Sequence, residues 1–269
     1  MHDNPRALLA AYDDQLRDIA EVPSALRWER HGPLLWATYL GGRGFVTYRS
    51  LSGCSGQRLS NLVAATLTHY IADPGLTSVE WKTRGHDGVP ELDRILVDHG
   101  FLAEEPESVM IGRAVDLAVD VPLPRGVTIR RVTDPVDVRH MAAMQDEAFG
   151  HASPGMTEEL LARLALGNDD MELWVAEAAG EIISAGRLEP VDGSDFAGIW
   201  GGATLKQWRR QGIYRALTAE RARSAVRRGK ALINSDSTEY SRPILERSGF
   251  VKVTTTTPYQ WQRLEAMVP

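Results

Sequence analysis

The sequence predicts a mixed α/β fold made of two domains, each with a twisted sheet flanked by helices. Three observations support this fold class. Strand-like and helix-like segments alternate through the second half of the 269 residues. A similar succession of segments recurs in the first half. The segment 121–126 contains two prolines and one glycine and is typical of a linker, which predicts domains at 1–120 and 127–269.

In the second half, alternating apolar residues predict strands and apolar residues at helical spacing predict helices. A tight turn around Gly180 joins two of the strands, Ser241 and Pro243 are typical of a helix start, and Gly249 is typical of a helix end. The predicted elements are a strand at 127–132, helices at 135–149 and 157–166, strands at 173–176, 182–185 and 199–205, a helix at 213–228, a strand at 231–234, a helix at 241–248 and a terminal hairpin at 250–261.

The composition excludes several classes of protein. Hydrophobic residues make up 43% and charged residues 25% of the chain, which is typical of a soluble globular protein. No apolar run approaches the roughly 20 residues that cross a bilayer, and the N-terminus lacks the features of a signal peptide, so we expect a cytoplasmic protein without a membrane partner. The net charge of −6 argues against nucleic-acid binding. The single cysteine and seven scattered histidines indicate no metal site.

The thirteen residues from Leu205 to Leu217 place a strand end, an arginine-flanked turn and a helix start in succession. The first turn of a helix leaves backbone N–H groups without partners and carries the positive end of the helix dipole, so an anion is stabilised there. Arg209, Arg210 and Arg215 add positive charge, and the turn therefore predicts a phosphate site. The basic residues further along the helix are expected to form a solvated face: Arg221, Arg223, Arg227 and Arg228.

Arg209-x-x-Gly212-x-Tyr214 resembles the Arg/Gln-x-x-Gly-x-Gly/Ala loop of the GNAT superfamily of N-acetyltransferases at two of three positions, with Tyr214 as the departure. The order of the predicted elements is also similar to that of GNAT proteins. The resemblance implies a mostly antiparallel sheet and acetyl-coenzyme A as co-substrate, with pantetheine on the strand end and pyrophosphate on the helix amides. The residues implied to bind it are Ala203, Thr204, Leu205, Arg209, Arg210, Gln211, Gly212, Ile213, Tyr214, Arg215 and Ala216.

The first half carries a weaker version of the same pattern. Ile95-Leu96 followed by Gly100-Phe101 recurs as Ile244-Leu245 followed by Gly249-Phe250, an offset of 149 residues in both cases. A predicted helix at 59–71 and strands at 79–82 and 108–111 surround it, so the sequence predicts two GNAT-like domains rather than one such domain behind an unrelated one. The counterpart of the phosphate turn, residues 51–59, has the single basic residue Arg58. We expect this half to lack tight cofactor binding and to supply packing surface or a wall of the acceptor site.

Acetyl transfer from a thioester to an amine requires a base for the amine and a proton for the leaving thiolate. Carboxylates are the usual bases, and Asp236 beyond the predicted strand at 231–234 has the best position. Glu147 on the first helix of this half is a second candidate. Glu172 and Glu177, on the strand that contains Trp174, are further alternatives.

The general acid is harder to assign. Many GNAT proteins use the tyrosine of a Tyr-Glu-Lys-x-Gly-Phe run, and here the corresponding residue is Leu245. Tyr240, at the entry to the same helix, is the candidate that replaces it. Tyr214 and a proton from solvent are the alternatives.

These features predict an acetyl-coenzyme A-dependent N-acetyltransferase that moves the acetyl group directly to a small-molecule or peptide amine. The second half is expected to be the active one, in a monomer whose two domains form a pseudo-dimer or in a homodimer. One alternative is a non-catalytic module that senses coenzyme A or acyl-coenzyme A. Another is a protein that binds the phosphates of a different nucleotide.

Overall fold

The computed structural model describes residues 4–153, 155–167 and 171–263. Its helices are α1 (Pro5–Gln15), α2 (Gly56–Ala72), α3 (Glu91–Asp98), α4 (Ala114–Leu117), α5 (Pro135–Phe149), α6 (Met156–Leu166), α7 (Ile213–Arg227) and α8 (Arg242–Ser248). Its strands are β1 (Arg27–His31), β2 (Leu34–Tyr39), β3 (Arg43–Tyr48), β4 (Ser78–Arg84), β5 (Leu102–Ala103), β6 (Glu107–Arg113), β7 (Val127–Val132), β8 (Glu172–Ala178), β9 (Glu181–Pro190), β10 (Phe196–Thr204), β11 (Leu232–Ser237) and β12 (Val251–Gln262). Short 3₁₀ turns lie at Asp18–Glu21 and Lys206–Trp208.

The chain forms two compact units. The first unit contains Met1–Val109, Ser237–Glu239 and the chain from Val253 onward, and the second contains Met110–Asp236 and Tyr240–Lys252. This division differs from the predicted cut at 121–126, because each unit takes in a strand from the other half of the sequence. In the first unit β12 pairs with β4 along the whole of β4. In the second, Met110 of β6 and Leu123 of the expected linker both pack into apolar clusters.

In the second unit the strands follow the order β6-β11-β10-β9-β8-β7. The β7–β8, β8–β9 and β9–β10 pairs are antiparallel, and the β10–β11 pair is parallel. This agrees with the predicted mixed, mostly antiparallel sheet. Successive residues of a strand face opposite sides of the sheet. Trp174 accordingly packs with α7, whereas Leu173 and Val175 pack with α5 and α6. Helices therefore cover both faces.

The first unit repeats this plan in the order β1-β2-β3-β4-β12. Its β3, α2 and β4 form a strand, a helix and a parallel strand, as β10, α7 and β11 do in the second unit. The repeated sequence pattern also has the same backbone geometry. The Phe101 N–H donates to the Leu96 carbonyl at 3.0 Å and the Phe250 N–H donates to the Leu245 carbonyl at 3.1 Å. The predicted internal repeat is thus present in the fold.

One predicted element is wrong. The terminal hairpin expected at 250–261 is a single twelve-residue strand, β12. The run from Val253 to Thr257 contains no turn-forming residue, and the unbroken strand pairs with β4 through Gln262. Among the helices of the described ranges, none has both the length and the apolar character of a membrane span.

Candidate functional site

The two parallel strands of the second unit separate after a short contact. β10 pairs with β11 only where Phe196–Gly198 lie beside Leu232–Asn234, although both strands continue further. From Ile199 onward, in the part of the chain that the structure describes, the edge of β10 that faces β11 has no ladder partner in β11, and the two strands form an open fork. An unpaired strand edge can bind an extended ligand as an added strand. At the start of the fork, Asn234 is 5% exposed and its Oδ1 accepts no hydrogen bond from the described residues.

A β-bulge lies where β10 borders the fork. The register between β10 and β9 shifts between Trp200 and Ala203, so Gly201 and Gly202 bulge out of the ladder. Gly201 has a φ of +60°, a conformation that favours glycine. Gln145 of α5 fixes the bulge, because its Nε2 donates to the Gly201 carbonyl at 2.5 Å. Bulges commonly redirect a strand beside a functional site.

Tyr214, the departure from the family's loop pattern, is accommodated by Gly202. A Cβ atom on Gly202 would lie 2.7 Å from Cε2 and 2.8 Å from the hydroxyl oxygen of Tyr214. The tyrosine ring therefore lies directly over the Gly202 backbone, and the Arg221 guanidinium carbon is 6.0 Å from the ring centroid. Because the side chain extends over the strand, it does not fill the space in front of the α7 amides.

The turn after β10 leads into a helix start without a side-chain cap. Arg210 and Gly212 have φ angles of +64° and +80°, and α7 begins at Ile213. The earliest α-helical bond of α7 runs from the Ala216 N–H to the Gly212 carbonyl at 2.9 Å. Gly212 has no side chain to cap α7, and among the described residues no side chain accepts a hydrogen bond from the amides of Ile213, Tyr214 or Arg215. The amides of Ile213, Tyr214 and Arg215 are therefore in position to bind an anion.

The three arginines predicted to bind phosphate have different surroundings. Arg209 donates from Nε to the Thr204 carbonyl at 2.9 Å and from Nη2 to the Ala148 carbonyl at 3.0 Å. It thus holds the turn against the ends of β10 and α5. Arg210 and Arg215 are exposed and, within the described part of the chain, form no hydrogen bond or ion pair through their side chains. These two are the charges best placed for an anion at the turn.

The strand residues predicted to contact the cofactor already have partners. The Ala203 carbonyl accepts from Ser184 Oγ at 2.7 Å, the Thr204 carbonyl accepts from Arg209, and the Leu205 N–H donates to the Ile183 carbonyl at 3.0 Å. The side chains of Leu205, Ile213 and Ala216 are buried in apolar contacts and Gln211 is exposed. The unpaired edge of β10 begins at Ile199, so residues 199–202 also border the fork, ahead of the predicted Ala203 and Thr204. Two consecutive glycines inside a strand were the signal for it.

The predicted acid–base residues are spread over three elements. Asp236 is half-buried on β11, which borders the fork. Glu147 is exposed on α5, and Tyr240 is 92% exposed before α8. Leu245, which stands where many family members have tyrosine, is 1% exposed and packs with Phe250 in the core. Asp236 is therefore the candidate on a strand that borders the fork, two residues after the last β11 residue paired with β10.

The alternative carboxylates are occupied by structural contacts. Glu172 is 1% exposed and accepts hydrogen bonds from Trp174 Nε1, Ser224 Oγ and Arg228 Nε at 2.8, 2.9 and 2.7 Å. Burial raises the pKa of Glu172, but these hydrogen bonds outweigh burial and the pKa is lowered. Glu177 accepts from Arg130 Nε at 2.7 Å. Neither carboxylate is placed to act as a base.

The predicted solvated face of α7 is wrong at Arg221 and holds only in part at Arg228, which is half-buried and donates to Glu172. Arg221 is fully buried, with its guanidinium donating to the Arg187 carbonyl and to Thr218 Oγ1, both at 3.2 Å. Burial lowers its pKa. The small residue Gly186 creates the space, because a Cβ there would lie 2.5 Å from Arg221 Nη1. Apolar periodicity could not reveal this arginine.

The corresponding helix start in the first unit is occupied by the protein itself. The Gly56 N–H at the start of α2 donates to Glu91 Oε2 at 2.8 Å. Arg58, the single basic residue there, donates from Nη1 to the Gly53 carbonyl at 3.4 Å. An internal carboxylate therefore lies where α7 has an open anion site. Across the described residues, no group of three or more His, Cys, Asp or Glu side chains is placed to hold a metal ion.

Comparison with known proteins agrees with this geometry. Residues 138–268 match the family model described as an acetyltransferase (GNAT) domain. A GCN5-related N-acetyltransferase from Kribbella flavida is 17% identical, with 99% of this chain and 98% of that chain covered and a TM-score of 0.66. One from Sphaerobacter thermophilus is 18% identical over 86% of this chain and 76% of that chain, with a TM-score of 0.62.

A third solved structure has two such domains. A tandem GNAT protein from the clavulanic acid biosynthesis pathway is 12% identical, with 99% of this chain and 98% of that chain covered and a TM-score of 0.57. No curated protein sequence matches the chain. The resemblance to the GNAT superfamily and the predicted mixed α/β fold are confirmed.

Proposed function

With a GNAT acetyltransferase domain at residues 138–268, the chain is equipped for acyl transfer, and we propose that it is an acetyl-coenzyme A-dependent N-acetyltransferase. It transfers the acetyl group directly to the amine of a small molecule or peptide. The observation that carries this proposal is the open fork between β10 and β11 beside the uncapped start of α7. A long ligand with amides at one end and a pyrophosphate at the other fits these two features together.

In this proposal the pyrophosphate binds the amides of residues 213–215 and the free guanidinium groups of Arg210 and Arg215. Helix amides and charged side chains then stabilise the same anion. The pantetheine arm extends along β10 at 199–202, where the strand edge is unpaired toward β11. Arg209 acts indirectly, because it holds the turn in shape through two carbonyl groups.

The proposed chemistry is a direct transfer. The amine nitrogen attacks the thioester carbonyl carbon, the C–S bond breaks, and the coenzyme A thiolate leaves and takes up a proton. Asp236 accepts the amine proton directly or through water. Tyr240 or solvent supplies the proton to the thiolate, and the exposure of Tyr240 favours solvent. Glu147 is the second candidate base and faces solvent on α5.

A test measures release of free thiol from acetyl-coenzyme A with a panel of amines. The Arg210→Ala and Arg215→Ala double variant should raise the KM for acetyl-coenzyme A about a hundredfold or more, because each of the two charge-assisted contacts contributes roughly 1.5–3 kcal/mol. Arg227→Ala, at the other end of α7 and also exposed, is the matched control and should leave KM unchanged. Equal KM values for all three proteins, or protection by ATP and none by coenzyme A, would show that the cofactor binds elsewhere.

A non-catalytic sensor of coenzyme A is the second candidate. It is favoured by one observation, the burial of Leu245 where many family members carry their tyrosine. A sensor would bind acetyl-coenzyme A and release no thiol with any amine, even in a single-turnover experiment with excess protein. Thiol release that depends on an amine would exclude it.

A further inference from the structure

An arginine lies beside the β10 bulge, on the sheet face opposite α7. Arg187 of β9 is paired with Trp200 of β10. A Cβ atom on Gly201 would lie 3.9 Å from Arg187 Nη1 and 2.9 Å from Gln145 Nε2. The guanidinium and the glutamine amide therefore converge on the bulge from the side that α5 and α6 cover. Tyr214 approaches the neighbouring Gly202 from the α7 side.

The hydrogen bonds of Arg187 leave its positive charge poorly matched. Its Nη1 donates to the thioether sulfur of Met156 at 3.3 Å, and a thioether is a weak acceptor. Its Nε lies 3.2 Å from Glu189 Oε1, the same oxygen that is 3.0 Å from Arg163 Nη1. Glu159 on α6 adds a longer-range negative charge. Glu189 Oε1 thus lies beside two guanidinium groups, and the buried Arg187 Nε has no hydrogen-bond partner among the described residues.

Burial makes this arrangement costly to the protein. The Arg187 side chain is 17% exposed, and burial lowers its pKa. A guanidinium in such a place is stabilised strongly by a carboxylate, which matches its planar donors in a bidentate geometry. A ligand carboxylate that replaced the Met156 sulfur as the acceptor would supply that partner.

We propose that the acceptor of the acetyl group is an amine that also carries a carboxylate, and that Arg187 binds this carboxylate. The proposal rests on the proposed N-acetyltransferase function and names its substrate class. If pantetheine extends along β10 at 199–202, the thioester lies close to Gly201, and so does the guanidinium. Amine and carboxylate must then be separated by only a few bonds, as in an amino acid. Long polyamines and amines without an acidic group fit this site less well.

The test compares matched acceptors in the full-length protein. Each of the twenty amino acids is assayed beside its amide, which keeps the amine and removes the negative charge. The wild type should show a KM for the best amino acid about 10- to 100-fold below that for its amide. Arg187→Gln should remove this difference by raising the amino acid's KM, with the KM for acetyl-coenzyme A unchanged.

Two further variants separate recognition from folding. Met156→Glu introduces an internal carboxylate beside Arg187 at the first position of α6, where an acidic residue stabilises a helix. It should therefore fold normally and still lose the preference for the amino acid. Arg139→Gln removes an exposed arginine of α5 that pairs with Glu158, and as the matched control it should retain the preference.

The outcomes distinguish this proposal from the proposed function. Amine-dependent thiol release with equal KM values for amino acids and amides would overturn carboxylate recognition and leave the acetyltransferase intact. Absence of thiol release with every acceptor would overturn the function. In that case, saturation-transfer NMR with the same amino acids and amides, at saturating coenzyme A, tests the Arg187 site alone. Equal saturation-transfer signals from the amino acids and their amides, or no signal from either, would overturn carboxylate binding by Arg187.

Discussion

Gly202 and Tyr214 form a matched pair, and we expect Gly202→Ala to destabilise the protein. The added methyl group would lie 2.7, 2.8 and 3.1 Å from Cε2, the hydroxyl oxygen and Cζ of the tyrosine. Favourable contacts between carbon atoms lie at about 3.5–4.0 Å, so ring and strand must separate by roughly 1 Å. The ring has little freedom to move, because Arg221 lies next to it and is fully buried. Overpacking of this kind lowers the free energy of unfolding by about 1–3 kcal/mol.

A double-mutant cycle measures this coupling. Gly202→Ala, Tyr214→Ala and the double variant are unfolded in urea, and their free energies of unfolding are compared with the wild type. Gly202→Ala should destabilise the protein with Tyr214 present and have little effect in the Tyr214→Ala background, which gives a coupling of about 1–3 kcal/mol.

Tyr214→Phe is the control for this cycle. This variant keeps Cε2, the ring atom 2.7 Å from the added methyl group, and removes only the hydroxyl group. It should therefore not restore the stability that Gly202→Ala loses. If Gly202→Ala has the same effect in both the Tyr214 and the Tyr214→Ala backgrounds, the ring does not lie over Gly202. The explanation for the unusual tyrosine in the loop would then be wrong.

Three other predictions concern single positions. Gly212→Ala should raise the KM for acetyl-coenzyme A, because an L-residue is strained at a φ of +80°. A steric clash is not the cause, since the nearest atoms to the new Cβ lie 3.8 Å away. An unchanged KM in steady-state kinetics would contradict this. Burial raises the pKa of Glu21, but Arg84, Lys82 and hydrogen bonds lower it from 4.5 to about 2. The ionised Glu21 carboxylate therefore contributes roughly 3 kcal/mol to the free energy of unfolding above pH 4.5, and this contribution is lost as the pH falls toward 2. In urea unfolding, the free energy of Glu21→Gln should depend less on pH over that range than that of the wild type. Glu91→Ala should lower the free energy of unfolding by about 1 kcal/mol through loss of the contact at the start of α2, with no change in coenzyme A affinity by calorimetry.

The sequence predicted most of the second unit because its elements follow simple rules. The predicted bounds of α5 agree with the structure, and those of α6, α7 and α8 each differ from it by one residue at one end. The first unit was harder. All five residues of β1 are exposed, so the strand has no apolar alternation to detect. β12 differs from the predicted hairpin because its threonine-rich run carries little apolar pattern and its partner, β4, is remote in sequence.

The candidate site was predictable only in part. The turn at Gly212 could be found because its arginines and glycine are neighbours in sequence. The fork could not, since it depends on the point at which β10 and β11 stop pairing, and that point is set by packing. The sequence does not indicate the roles of Gln145 and Arg187 for the same reason. Their importance comes from their approach to Gly201, 56 and 14 positions away along the chain, respectively.

The two copies of the fold indicate what makes such a turn a binding site. Arginine content alone is insufficient, because Arg209, although exposed, donates its hydrogen bonds to two carbonyl groups of the protein. The difference lies at the helix amides. In the first unit Glu91 supplies a carboxylate to Gly56, so an incoming phosphate would have to displace an anion that the protein already holds. In the second unit no side chain of the described residues accepts from the first-turn amides of α7, so a phosphate meets those amides without that competition. Two helices with the same place in the fold can thus differ in function because one of them carries its own anion.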